Sequence, residues 1–268
     1  MANVSDGEND TPDVVENQIL FLKSPLSFIS SNRNFTPTRL EKTHVRLLFD
    51  SIAHRYDLLN HLLSGGIDFY WRRRAIEHLC ELKPRHILDV ATGTADFAIA
   101  AMRLNPTQII GVDISERMLE LGREKIRKRN LDATIALEIG EAEQLRFETG
   151  SLDVVIVGFG VRNFEDLDKG LHEIHRVLRP GGKVVILEFS RPSAFLFKQI
   201  YLSYFQTVLP FIGRTISKHP HAYEYLRDTV MKFPEGNEFL AILQSVGFRD
   251  SAQERLSFGI TTIYTGRK

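Results

Sequence analysis

The hydrophobic pattern of the chain switches between two periods. Residues 39–56 carry Val45, Leu48, Phe49 and Ile52 at helical spacing, which predicts an amphipathic helix. The polar, aromatic run His54, Arg55, Tyr56, Asp57 follows this stripe, as either a cap or part of a site. Residues 58–63 lead into the turn Ser64, Gly65, Gly66. A second helix over 68–81 has Trp71, Ala75, Ile76 and Leu79 on one face and Pro84 beyond its end. At 87–98, ILDVATGTADFA, the period changes. Ile87, Leu88 and Val90 make the short apolar run of a strand covered on both faces, a tight turn follows around Gly93, and a helix begins.

From that turn onward strand and helix alternate. The pattern predicts helix 96–104, strand 108–113, helix 116–130 capped by Ser115, strand 134–139, strand 153–157 and helix 166–178. Pro180, Gly181 and Gly182 are expected to end that last helix before strand 184–189. Strands joined through helices imply a doubly wound, mostly parallel α/β sheet. Residues 190–236 interrupt the alternation with Phe195, Phe197, Tyr201, Tyr204, Phe205 and Phe211 interleaved with Lys198, Arg214 and Lys218. Helix 237–245 and a β-rich pair at 252–258 and 260–266 close the chain, bringing the sheet to seven strands. The N-terminal helices precede the first strand and are placed to roof whatever binds at its turn.

Composition narrows the classes. A 268-residue chain with 43% hydrophobic content can bury a full core, so residues 39–268 are read as one catalytic domain. Residues 1–38 are read as a disordered or loosely packed extension. Its first 17 positions hold Asp6, Glu8, Asp10, Asp13 and Glu16 and no lysine or arginine, the opposite of a secretory or organelle leader. Lys+Arg and Asp+Glu are both 34, so no global field draws the protein to nucleic acid. The single cysteine, Cys80, excludes an intrachain disulfide and a cysteine-clustered metal site and fits a reducing cytoplasm. Apolar runs such as 19–22 fall far below the ~20 residues of a membrane span.

The turn carries the chemistry. Ala91, Gly93 and Asp96 occupy the places that three glycines take in a dinucleotide fingerprint, and Asp89 and Asp96 flank it. Carboxylates repel a pyrophosphate and attract a cation. S-adenosylmethionine, with an ammonium, a sulfonium and no phosphate, suits such a turn better than NAD. The bland alternative is an ordinary strand-to-helix turn with acids facing solvent. Asp113, ending the next strand, is placed to accept hydrogen bonds from both ribose hydroxyls. Glu141 and Ala142 follow the third strand, where Glu141 could accept from an adenine amine and Ala142 leaves room for the ring.

Four stretches, FDSIAHRYDLLNHLLSGGID at 49–68, GVDISERMLELGREK at 111–125, VGFGVRNFEDLDKGL at 157–171 and RVLRPGGKVVILEFSRP at 176–192, together resemble the quinone-biosynthesis C-methyltransferases of the UbiE/MenG type. The runs AYEYLRDTVMKFP and GITTIYTGRK near the C-terminus agree, so the resemblance covers about 41–268. It implies the class I S-adenosylmethionine-dependent methyltransferase fold and methylation of a ring carbon of a polyprenylated quinol. Cofactor contacts carried over by position are Gly93 and Thr94 in the turn, Asp113, and Glu141 with Ala142. The chain departs from the family with Ala91 and Ala95 where many members keep glycine, Glu141 for a more usual Asp or Asn, and Gly158 where some have serine. The wording VATGTADF leans to the menaquinone branch.

A ring carbon is a poor nucleophile until the adjacent hydroxyl loses its proton, so the enzyme must favour a quinolate through a base or a cation. Arg162 with Asn163, and His54 with Tyr56, are the candidates. Against them stand a salt bridge from Arg162 to an acid such as Asp166, and an exposed, capped His54. The aromatic insertion could cover a prenyl chain or pack as a plain lid. A lipid-soluble substrate implies a cytoplasmic protein in peripheral contact with the inner face of a membrane, and a homodimer is left open. Competing classes are methylation of a ubiquinone precursor, a small-molecule O- or N-methyltransferase, an NAD-dependent reductase and a non-enzymatic binding module.

Overall fold

Seven strands form the centre of the molecule: β1 (His86–Val90), β2 (Gln108–Asp113), β3 (Ile135–Ile139), β4 (Leu152–Gly158), β5 (Leu178–Phe189), β6 (Arg249–Leu256) and β7 (Thr261–Arg267). They pair in the order β3-β2-β1-β4-β5-β7-β6. The computed structural model describes residues 42–192 and 220–268, with the backbone alone at 55–63 and 220–224. The first five strands run parallel, and β7 lies antiparallel to both β5 and β6. Order reverses between β1 and β4, which opens a crevice at their carboxyl ends, where ligands bind in sheets of this kind.

Helices α1 (Lys42–Ser64), α2 (Ile67–Glu77), α3 (Asp96–Ala101), α4 (Glu116–Lys128), α5 (Leu167–Val177), α6 (Pro220–Lys232) and α7 (Asn237–Val246) surround the sheet. The pleat sends successive side chains to opposite faces. Leu88, Val90, Val155 and Val157 therefore pack with Leu171 and Ile174 of α5 and Phe239 and Leu243 of α7. Ile87, Ile109, Val154 and Ile156 pack on the other face with Trp71 and Ile76 of α2, Phe97 of α3 and Leu119 of α4.

Local chemistry sets the helix starts. The Ser115 side chain accepts from Met118 N at 3.2 Å, and that of Asp166 accepts from Lys169 N at 3.1 Å. Two expectations need correction. The first helix does not stop at Tyr56 but runs unbroken to Ser64, so His54 and Tyr56 lie within it. Pro180, Gly181 and Gly182 do not separate helix from strand: β5 already pairs with β4 at Leu178, and the three residues form an irregularity before pairing resumes at Lys183. Gly181 has φ 77° there, and a Cβ on Gly182 would stand 2.9 Å from Arg179 O. Among the described residues, no helix is long and apolar enough to cross a membrane. The aromatic residues Phe195 to Phe211, with Lys198, Arg214 and Lys218, lie outside the described residues.

Candidate functional site

The crevice holds an open pocket with about 690 Å³ of empty space, part of it continuous with solvent. Its floor is the turn after β1. Gly93 donates its N–H to Asp113 Oδ2 at 2.9 Å and Ser115 N donates to Asp113 Oδ1 at 2.9 Å, so the end of β2 is tied to the turn and the carboxylate keeps lone pairs for a ligand. Burial pushes the Asp113 carboxyl above its usual range against the pull of those N–H groups, and Asp50 adds to the rise. A Cβ on Gly93, at φ 55°, would meet no atom within 4 Å, which leaves space over the turn. Asp89 beneath it is fully buried. Its Oδ2 accepts from Thr92 Oγ1 at 2.6 Å and from Ala98 N at 3.0 Å, while Oδ1 has no partner among the described residues. Burial raises its carboxyl to about 7.

The other adenosyl-side residues divide. Gly93, Asp113 and Ala142 line the pocket. Thr94 is buried with its hydroxyl toward α4, where Lys125 Nζ donates to it at 2.9 Å and to Asp96 Oδ1 at 2.6 Å. Glu141 is half-exposed and accepts from Lys42 Nζ at 2.6 Å. Lys42 also lies 3.2 Å from Glu143 and 3.7 Å from Glu165. Partial burial works to lower the Lys42 pKa, and its bonds to Glu141 and Glu143 outweigh that and raise it. Glu143 in turn accepts from Glu165 N at 2.7 Å and Asp166 N at 3.2 Å, holding the start of α5.

Helix α1 roofs this side. Val45 and Phe49 face the pocket, and Ser115 Oγ donates to Asp50 Oδ1 at 2.5 Å. His54 is exposed farther along, its Nε2 accepting from Arg117 Nη2 at 2.8 Å. Tyr56 follows on the same helix, with its side chain outside the described residues.

The opposite wall comes from the loop after β4. Phe159, Gly160 and Asn163 line the pocket there. Phe159 takes φ 58°, a conformation that bulky residues avoid unless their surroundings impose it. The Arg162 side chain is 6% exposed and lies behind this wall. Its Nη1 donates to Glu188 Oε1 at 2.6 Å and to Phe159 O at 2.5 Å, and its guanidinium stands 5.4 Å from the Phe189 ring. Glu188, fully buried, also accepts from Phe189 N at 2.8 Å and Arg162 N at 3.4 Å. The ion pair foreseen for Arg162 is therefore present, with Glu188 rather than Asp166 as the partner that the distances show. Asn163 Oδ1 accepts from Tyr225 Oη of α6 at 2.9 Å.

Residues 37–268 match the ubiE/COQ5 methyltransferase family. The chain belongs to this family. A demethylmenaquinone methyltransferase of Bacteroides fragilis is 48% identical over 225 residues, 84% of this chain and 92% of that protein. A ubiquinone/menaquinone biosynthesis C-methyltransferase UbiE of Geobacter sulfurreducens is 46% identical over 245 residues, 90% of this chain and 95% of its own. Among solved structures, an S-adenosylmethionine-dependent methyltransferase of Thermotoga maritima, titled a possible histamine N-methyltransferase, aligns with TM-score 0.60 at 19% identity over 83% of this chain and 99% of that one. The fold is thus the class I methyltransferase fold that the family resemblance implied.

As a ubiE/COQ5 methyltransferase, the chain shows what its departures do. Ala91 and Ala95 adopt φ 54° and 67°, so both pay the left-handed cost of ~1–2 kcal/mol that glycine avoids. A side chain at Gly158 would put its Cβ 2.8 Å from Phe97 Cδ1, so a serine there requires Phe97 to move. Sequence reasoning missed Lys42, Glu188 and Tyr225. Only Glu188 had a signal, a lone acid in the apolar run VVILEF, where an unpaired charge is too costly to bury.

Proposed function

We propose that this ubiE/COQ5 methyltransferase transfers a methyl group from S-adenosylmethionine to a ring carbon of demethylmenaquinol, giving menaquinol. The observation that carries the reading is the 48% identity to a demethylmenaquinone methyltransferase across 92% of that protein. The pocket fits the donor: Asp113, Glu143 and Glu165 against Lys42 give it an acidic lining suited to a sulfonium and an ammonium. Bound there, the donor supplies a methyl group to in-line attack, and the acceptor carbon then loses its proton to restore the aromatic ring.

In this reading Gly93 and Asp113 hold the ribose, with Thr94 anchoring the turn to α4. Ala142 leaves room for the adenine, and Glu141 accepts from its amine once the ion pair with Lys42 opens. Asn163 faces the acceptor as a hydrogen-bond donor for the quinolate oxygen, and Arg162, fixed by Glu188, is the cation behind it. His54 and Tyr56 on α1 are the remaining proton acceptors to test. The substrate's prenyl chain brings the enzyme to the surface of a membrane, and residues 1–38 stand outside the catalytic unit. A second reading, methylation of a ubiquinone precursor, is favoured by the name of the Geobacter relative.

The test is mass analysis of quinones formed from labelled S-adenosylmethionine and either acceptor. Demethylmenaquinol with reductant should gain the label and its oxidised quinone should not, because the quinone has no hydroxyl to ionise. Label on the benzoquinol alone moves the assignment to the second reading. Arg162→Lys keeps a cation beside the buried Glu188 but loses the planar guanidinium, and should retain cofactor affinity while turnover falls. Normal turnover, or joint loss of cofactor binding and stability, makes Arg162 a purely structural residue.

A further inference from the structure

The loop after β4 reaches the pocket with its backbone already fixed. Asn163 N donates to Gly160 O at 2.9 Å and Phe164 N to Val161 O at 3.2 Å, and Glu188 ties Arg162 and, through it, Phe159 O to the end of β5. What this frame leaves free is the side-chain amide of Asn163, which has an acceptor end and a donor end. Turned one way it offers a negative oxygen to the pocket, and turned the other it offers two N–H donors. In the structure the hydroxyl of Tyr225, sixty-odd residues away in sequence, donates to Oδ1 at 2.9 Å, so the N–H₂ edge is the one turned away from it.

We propose that Tyr225 is a positioning residue that holds the Asn163 amide with its N–H₂ edge toward the acceptor, ready for a quinolate oxygen. The inference rests on the reading of Asn163 as the acceptor-side donor. With the amide reversed, Oδ1 would face the quinolate and repel it, so the hydroxyl of Tyr225 supplies orientation rather than contact with substrate. Burial pushes the phenol up to about 12, so it stays protonated throughout the neutral range and retains a proton to donate. Tyr225 sits on α6, and its hydroxyl ties that helix to the pocket wall at Asn163.

Tyr225→Phe removes the hydroxyl and keeps the ring. It should lower kcat on demethylmenaquinol about tenfold, the size of one hydrogen bond, with the cofactor Kd and the melting temperature close to wild type. Asn163→Asp keeps an oxygen for Tyr225 but replaces the donor edge, and should lower kcat at least as far. In the Asn163→Ala background Tyr225→Phe should cost nothing more, because nothing is left to orient. If both Asn163 variants turn over normally, the acceptor-side reading fails. If they lose turnover while Tyr225→Phe is wild type, or if the Tyr225→Phe loss is undiminished in Asn163→Ala, the positioning role is overturned. A drop in melting temperature and cofactor affinity together would make the Tyr225 contact structural only.

Discussion

Asp89 shows how one residue can be held against its own solvation. It is fully buried, one oxygen has no partner among the described residues, and its carboxyl is raised from 3.8 to about 7. Between those two values the folded protein keeps a proton that the unfolded chain has released, so stability falls as pH rises through the interval and the penalty is complete above both. Asp89→Asn removes the charge at nearly constant shape. Its melting temperature should exceed wild type by several degrees at pH 8 and by little at pH 4, as measured by calorimetry on the ligand-free protein. A difference independent of pH would mean that the carboxylate is better compensated than its contacts imply.

Among the elements, α1 sets access to the pocket. Its apolar stripe, Val45 and Phe49 among it, was legible in the sequence and foretold a roof. The polar latch was not, because Lys42 and Glu141 stand 99 positions apart and meet only when β3 delivers its loop beside α1. The end of the helix was misjudged for a related reason. The polar run from His54 reads as a terminus on periodicity alone, yet the helix runs on to Ser64 and His54 finds a partner in Arg117 of α4. Lys42→Met leaves Glu141, Glu143 and Glu165 without their shared cation. Because the lysine side chain is 29% exposed, the stability cost should stay within ~1 kcal/mol. The effect should show in opening: faster limited trypsin cleavage at exposed Arg46 and a cofactor off-rate raised several-fold, which high salt should mimic in wild type. Unchanged cleavage and off-rate would show that Val45 and Phe49 hold α1 without the latch.

For the molecule as a whole, the alternation of apolar runs and amphipathic stripes was enough to foresee a doubly wound sheet, since the central strands β1 and β4 are buried on both faces and read as continuous apolar runs. It said nothing about which buried charges meet. Arg162 was paired with an acid close along the chain, such as Asp166, whereas pairing of Gly158 with Leu187 across β4 and β5 delivers Glu188 to it. The family resemblance supplied the chemistry that periodicity cannot. One packing detail adds a practical property. Trp71 is the only tryptophan in the sequence, it is 3% exposed, and its ring lies 6.1 Å from that of Phe159, on the pocket wall, and 6.3 Å from Phe189. The protein thus carries a single tryptophan reporter one aromatic ring away from the pocket, on the wall proposed to face the acceptor. Its ultraviolet emission should change on titration with quinol and lose that response in Trp71→Phe, which allows occupancy of the acceptor side to be followed without any added label.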